Sequence, residues 1–225
     1  MIAAALLPSA GPVADRTAEL IALVGVLALA PAALVMLTSF LKIAVVLSVA
    51  RSALGAPQVP PNTVVTGLAL VLTLLVMAPV GERAAALARE APGEAGLAGA
   101  AARVTRAAAP VREFLARFAR PDDRAALHDV ARRLRAPGAP APADDDLAVL
   151  APAFVVSELR RAFTIGFVVF VPFLAVDLVV ANVLLALGLT QLSPTSVALP
   201  FKLLLFVAVD GWKLLARALA LSYAG

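Results

Sequence analysis

Four charged side chains stand in otherwise apolar stretches: Lys42, Asp177, Lys202 and Asp210. Asp177 is the sole charge in "FVVFVPFLAVDLVVANVLLALGL", Phe167 to Leu189. A charge in an apolar helix costs about 2.5–3.5 kcal/mol on insertion scales, so such groups face a bundle interior or a water-filled cavity and are paired. Two kinds of chemistry fit. The acids and lysines could pass protons or ions along a relay, or they could form ion pairs that set the register between helices or subunits. Two acids and two bases can neutralise one another, which favours the ion pairs.

Enzymatic patterns do not occur. The chain has no GxxxxGK[ST] phosphate loop, no GxGxxG and no HExxH. With no Cys there is no disulfide, thiolate metal site or cysteine nucleophile. The single His128 has no second ligand spaced on the same helix face, so it reads as a solvated side chain. No base stands where it would activate a serine. The chain is expected to be no enzyme and to use no metal or cofactor.

These residues must be positioned by apolar elements. The chain of 225 residues is 62% hydrophobic with mean hydropathy +0.95 and only 15% charged. Soluble domains carry roughly 25% charge, so the composition is that of a membrane protein. The net charge of +4 does not mark a nucleic-acid binder. Residues 81–149 hold 11 Arg and 10 Asp/Glu, a nearly neutral block, and one Trp and one Tyr supply no stacking surface.

Along the chain, residues 1–19 begin with "IAAALLP", which lacks the basic start of a secretory signal. Leu20 to Ala50 is apolar apart from Lys42 and exceeds the roughly 20 residues that cross a bilayer. It is therefore expected to tilt steeply, kink or split, with Pro31 as the break. "RSALGAPQVPPN" reads as a turn, and Thr63 to Val80 as one span begun by Pro60 or Pro61 and finished by Pro79. In the polar block, Val111, Phe114, Leu115 and Phe118, then Leu127, Val130 and Leu134, recur at helical spacing on either side of Pro121. They predict two short amphipathic helices. Ala136 to Asp146 is a Pro-rich, acidic and mobile linker. Ala162 to Leu192 is too long for one straight span, and a hairpin or sharp bend is expected at Pro172. The last run forms one helix holding Trp212 and Tyr223, residues that membrane interfaces favour.

The fold class is therefore all-α, with membrane-type helical hairpins, kinked helices and a polar helical insertion. Its parts are an N-terminal segment (1–19), a first hydrophobic half (20–80), a polar insertion (81–149) and a second hydrophobic half (150–225).

Long motifs also carry a family resemblance. Met36 to Val80, with "SFLKIAVVLS" and "QVPPN", resembles the first half of the FliP/SctR family of type III export apparatus membrane proteins. "SELRRAFTIGF" (157–167), "PFLAVDLVVA" (172–181) and "LPFKLLLFVAVDGW" (199–212) resemble its second half, in order. "SFLKIAVVLS" and "QVPPN" are closer to the injectisome branch than to the flagellar one. The resemblance implies a multi-pass protein of the bacterial inner membrane that assembles into a ring, a pentamer. Its implied partners are SctS/FliQ-like and SctT/FliR-like membrane components, an SctU/FlhB-like switch protein and membrane lipid. The ring would conduct secreted unfolded proteins while other parts of the apparatus supply energy, and the assembled gate would be raised toward the periplasm.

The resemblance further implies that Asp177 and Lys202 pair across the interface between neighbouring subunits. Lys42 and Asp210 are expected as further buried charges. After "LALG" the family places methionines in a pore-closing loop, but here "LTQLSPTS" has none. Leu189 and Leu192 could still form an apolar constriction, with the polar Thr190 and Gln191 between them; the alternative is an ordinary hairpin turn. The positive-inside rule would put the Arg-rich block in the cytoplasm, whereas the resemblance puts it, with both termini, in the periplasm. The block is longer than the loops for which the rule holds, and its charges nearly balance.

A permease is the rival reading. "SFLKIAVVL" and "LPFKLLLFV" are weakly alike, as in an internal repeat, and intramembrane acids serve proton coupling.

Overall fold

The computed structural model describes residues 24–25, 28, 31–32, 34–56, 59–90, 97–136, 140–143 and 145–224. The N-terminal segment, much of the first apolar run before Leu34, Pro57 and Gln58 of the turn, and part of the Pro-rich linker lie outside them. Among the described residues the fold is all-α, with α1 (Phe40–Ala53), α2 (Asn62–Arg89), α3 (Leu97–Ala107) and α4 (Ala109–Phe118). Then come α5 (Pro121–Leu134), α6 (Leu147–Ala186), α7 (Pro194–Ala208) and α8 (Gly211–Leu221).

The long helix α6 organises the molecule, and α1, α4, α5 and α7 all pack against it. It starts where the Asp146 carboxylate accepts a hydrogen bond from the Ala148 N–H at 3.0 Å. It ends at Gly188, whose left-handed φ of 69° lets the chain turn back while the Leu189 N–H reaches the Leu184 carbonyl. Its 40 residues span about 60 Å, twice a bilayer's hydrocarbon thickness. The break expected at Pro172 is not made, and both Pro152 and Pro172 lie inside the helix. Each proline removes only one backbone donor, and the surplus length is taken up by residues 147–161, which pack against α4 and α5.

Other boundaries also move. Pro79 does not finish α2, which runs ten residues further through the Ala-rich "GERAAALAR", good helix-forming sequence. Pro31 lies in helical backbone, and the break before α1 falls at Leu37–Ser39 instead. There Thr38 hydrogen-bonds the Leu34 carbonyl through its hydroxyl and accepts from the Phe40 N–H, local bonds that compete with the helix. The final run is two helices, since Asp210 takes a left-handed φ of 53° between α7 and α8.

Two hydrophobic cores result. The first joins Ile43, Val46 and Leu47 of α1 to Val65 and Ala69 of α2 and Leu219 of α8. The second joins Phe114, Leu115 and Phe118 of α4 to Leu150 and Phe154 of α6 and to Tyr223. Tyr223 stacks on Phe114 and meets Phe118 edge-on, with centroids 5.8 and 4.9 Å apart, so it is a core residue and no interface anchor. The two amphipathic helices expected around Pro121 are α4 and α5. Only α4 buries its apolar face, whereas Val130 and Leu134 of α5 are exposed and its buried residue is Asp123. The described part of the linker is tied down: Arg135 donates to Pro140 O and Asp146, and His128 Nε2 lies 3.0 Å from Pro142 O.

Helices α2 and α6 are long and apolar enough to cross a membrane. Along α6 from Phe163 onward, large side chains such as Phe163, Phe167, Val168 and Val179 face outward.

Candidate functional site

Lys42 and Lys202 stand on the short helices α1 and α7, and each reaches an acid on α6. Lys42 is aimed inward by the same helical face that buries Ile43 and Val46. Its Nζ lies 3.4 Å from Glu158 Oε2, with side-chain exposures of 2% and 0%. Glu158 is held on three sides. Arg161, one turn along α6, donates to Oε1 at 2.8 Å and to Phe118 O at 2.7 Å, and the Tyr223 hydroxyl hydrogen-bonds Oε2. The Lys42 ammonium also sits 3.6 Å from the centre of the Tyr223 ring, a cation–π contact. Three parts of the chain, α1, α6 and the segment after α8, thus converge on one carboxylate.

A second polar cluster lies beside it. Ser157 Oγ is 2.7 Å from both Asp123 Oδ2 and Ala153 O and accepts from the Arg120 N–H at 2.9 Å. Arg160 reaches Asp123 Oδ1 at 3.3 Å. "SELRR" therefore docks α4 and α5 onto α6 through Ser157, Arg160 and Arg161.

Toward the far end of α6, Lys202 Nζ donates to Asp177 Oδ2 at 2.6 Å. Lys202 is buried and Asp177 is about one-third exposed. The pair closes within one chain, whereas the resemblance assigns it to two neighbouring subunits. The turn at Gly188 folds α7 back along α6, which brings residues 25 apart in sequence together. Asp177 Oδ1 is buried and has no hydrogen-bond partner within the chain. Gly55 of the α1–α2 turn, with φ 76°, closes over the lysine, and a Cβ there would lie 3.7 Å from Lys202 Nζ.

Glu158 and Asp177 are 19 residues apart on one helix, or about 28 Å along its axis. Each acid has its own lysine and the two do not share a hydrogen-bond chain. The two ion pairs tie α6 to α1 at one point and to α7 at the other.

The folded chain can now be set beside known proteins. The sequence model of the FliP family matches residues 23–219. The chain belongs to the FliP family. It is 46% identical to the flagellar biosynthetic protein FliP of Pectobacterium carotovorum over 96% of this chain and 83% of that protein. It is 44% identical to the hypersensitivity response secretion protein HrcR of Ralstonia nicotianae, over 92% of this chain and 97% of that one. With the Yop proteins translocation protein R of Yersinia pestis it shares 42%, over 92% and 96% of the two chains.

In this FliP-family chain the remaining expected residues fall apart in space. Asp210 is not buried: its side chain is 66% exposed and pairs with the exposed Lys213 at 3.3 Å. The helix break at residues 209–210 turns it outward, which no apolar periodicity revealed. Leu189, Thr190, Gln191 and Leu192 form an exposed turn between α6 and α7, with Pro194 opening α7. Glu158 was missed because "SELRRAF" is locally polar and reads as a helix margin. The signal that could have found it is the pairing of one buried lysine, Lys42, with the only acid between Asp146 and Asp177. Among the described residues no group of acids and His could hold a metal ion.

Proposed function

We propose that this chain is a ring-forming, pore-building subunit of the type III export gate, conducting unfolded proteins across the bacterial inner membrane. Family membership makes it a structural membrane component of the type III secretion and flagellar export machinery, and not an enzyme. The ring, a pentamer joined by SctS/FliQ-like, SctT/FliR-like and SctU/FlhB-like components, is the further step. "SFLKIAVVLS" and "QVPPN" favour the injectisome branch.

The observation that carries the ring is the unfilled apolar surface of the α6–α7 hairpin. A groove of about 540 Å³ runs between the two helices, lined by Ala175, Val176, Val179, Val183, Val197 and Phe201. It suits the side chains of a neighbouring subunit's helix. Asp177, about one-third exposed and paired with Lys202, lies on the same hairpin. On this reading Asp177 and Lys202 border the ring interface, and Leu189 to Leu192 face the pore.

The test is the native mass of the protein in mild detergent, alone and co-expressed with its neighbouring membrane components. A discrete ring that gains mass with those components is expected. A monomer or dimer indifferent to them would remove the gate reading.

A further inference from the structure

Two apolar faces stand back to back on the C-terminal third of α6. Val176, Val179 and Val183 recur at i, i+3 and i+7 on the side that forms the groove with α7. Leu174, Leu178 and Leu185, at i, i+4 and i+11, project from the side half a turn away, since each residue advances a helix by about 100°. These leucines are 45%, 58% and 70% exposed. Phe163 and Phe167 continue the same stripe toward the start of the helix and are exposed too. One side of the α6–α7 hairpin is thus concave and the other is a ridge.

Lipid tails are as apolar as leucine, so burial alone does not choose what covers these faces. Shape and position do. Ridge and groove share one stretch of one helix, residues 174–185, about 17 Å long. A rotation about an axis parallel to α6 keeps every residue at its own depth, so the ridge of one copy arrives level with the groove of the next. Each pair leaves a ridge free at one end and a groove free at the other, and the contact repeats until a ring closes. Ridge against ridge, the two-fold alternative, would leave the groove empty. The far wall of the groove is Val197 and Phe201 of α7, and the exposed Leu204 extends it at i+7. Large apolar side chains present roughly 150–250 Å² when free. At the exposures of ridge and groove together the contact covers on the order of 1,000 Å², the size at which specific interfaces begin.

Resting on the ring-forming role, we propose that the α6 ridge of one copy, Leu174, Leu178 and Leu185, packs into the α6–α7 groove of the next, with Leu178 against Phe201. The hairpin is then both halves of the subunit contact, and the chain's own partner is a second copy joined head to tail.

Cysteine cross-linking reads this contact directly, because the chain has no cysteine of its own. Leu178→Cys and Phe201→Cys, both at exposed side chains, are co-expressed with different tags and oxidised in the purified complex. A disulfide-linked pair carrying both tags is expected. Neither variant alone should link, since a head-to-tail contact does not bring two copies of one residue together. Val179→Cys, on the near wall, is a second partner for Leu178→Cys with the same expectation. Leu178→Cys/Phe201→Cys in one chain should give a ladder of linked multimers, because the two side chains point apart across α6 and cannot bridge within a chain. Leu178→Cys with Val130→Cys, exposed on α5, should not link. The native mass of the same samples separates two failures. A ring with no link between the two tags, or with Leu178→Cys linked to itself, would overturn the ridge-to-groove contact and leave the ring standing, its faces covered by lipid or by another component. A chain that forms no ring would remove the ring-forming role, and this contact with it.

Discussion

Glu158 of α6 and Lys42 of α1 form a buried ion pair, with side-chain exposures of 0% and 2%. Burying two charges is repaid only when every remaining hydrogen-bond site on them is filled. Arg161 and Tyr223 meet that condition for Glu158, and so the carboxylate joins both hydrophobic cores to the polar insertion.

Removing the acid should therefore be severe. Glu158→Leu leaves the Lys42 ammonium buried without a counter-charge, at a cost of about 3–5 kcal/mol. Thermal unfolding in detergent should show a large drop for Glu158→Leu and a smaller one for Lys42→Met/Glu158→Leu. A double variant as unstable as the single one would mean that the pair itself contributes little.

The Asp177–Lys202 contact makes a prediction about complementation. Asp177→Lys or Lys202→Asp alone places two like charges together, and each should block assembly. The swap Asp177→Lys/Lys202→Asp in one chain should restore part of it, because the partners belong to one hairpin. Co-expressing the two single variants should not. Rescue by co-expression would show that the assembled ring exchanges the pair between subunits.

Gly211 opens α8 against the ring of Phe206, and a Cβ at that position would overlap the ring atoms. Gly211→Ala is expected to destabilise the chain by about 1–3 kcal/mol, the usual cost of overpacking. Combining it with Phe206→Leu should recover part of the loss in the same melting experiment. No change for Gly211→Ala would mean that the α7–α8 junction is looser than this packing implies.

The turn between α6 and α7 exposes Leu189 and Leu192. If they line the closed pore of the assembled gate, Leu189→Ser/Leu192→Ser should raise the leak of small ions through the purified complex in liposomes. The stability of the single chain should not change, since neither side chain is packed. Unchanged ion tightness would reduce the segment to a connecting turn.

The all-α class and the order of apolar and polar segments were legible in the sequence, because hydropathy and helical spacing are local properties of a chain. So was the need of Lys42, Asp177 and Lys202 for a partner, since a charge in an apolar run must find one. Where helices end was less legible. Pro79 and Pro172 each remove one donor, a local penalty that the packing of α2 and α6 outweighs, whereas Thr38 and Asp210 make breaks that no proline announces. The identity of the partners belongs to the tertiary structure alone. Residues 42 and 158, or 158 and 223, meet only because α1, α6 and the chain end pack together where the two cores adjoin. Local sequence determined which elements form and which charges need neutralising. Which acid neutralises which base depended on distances between helices far apart along the chain, and only the packed structure could decide that.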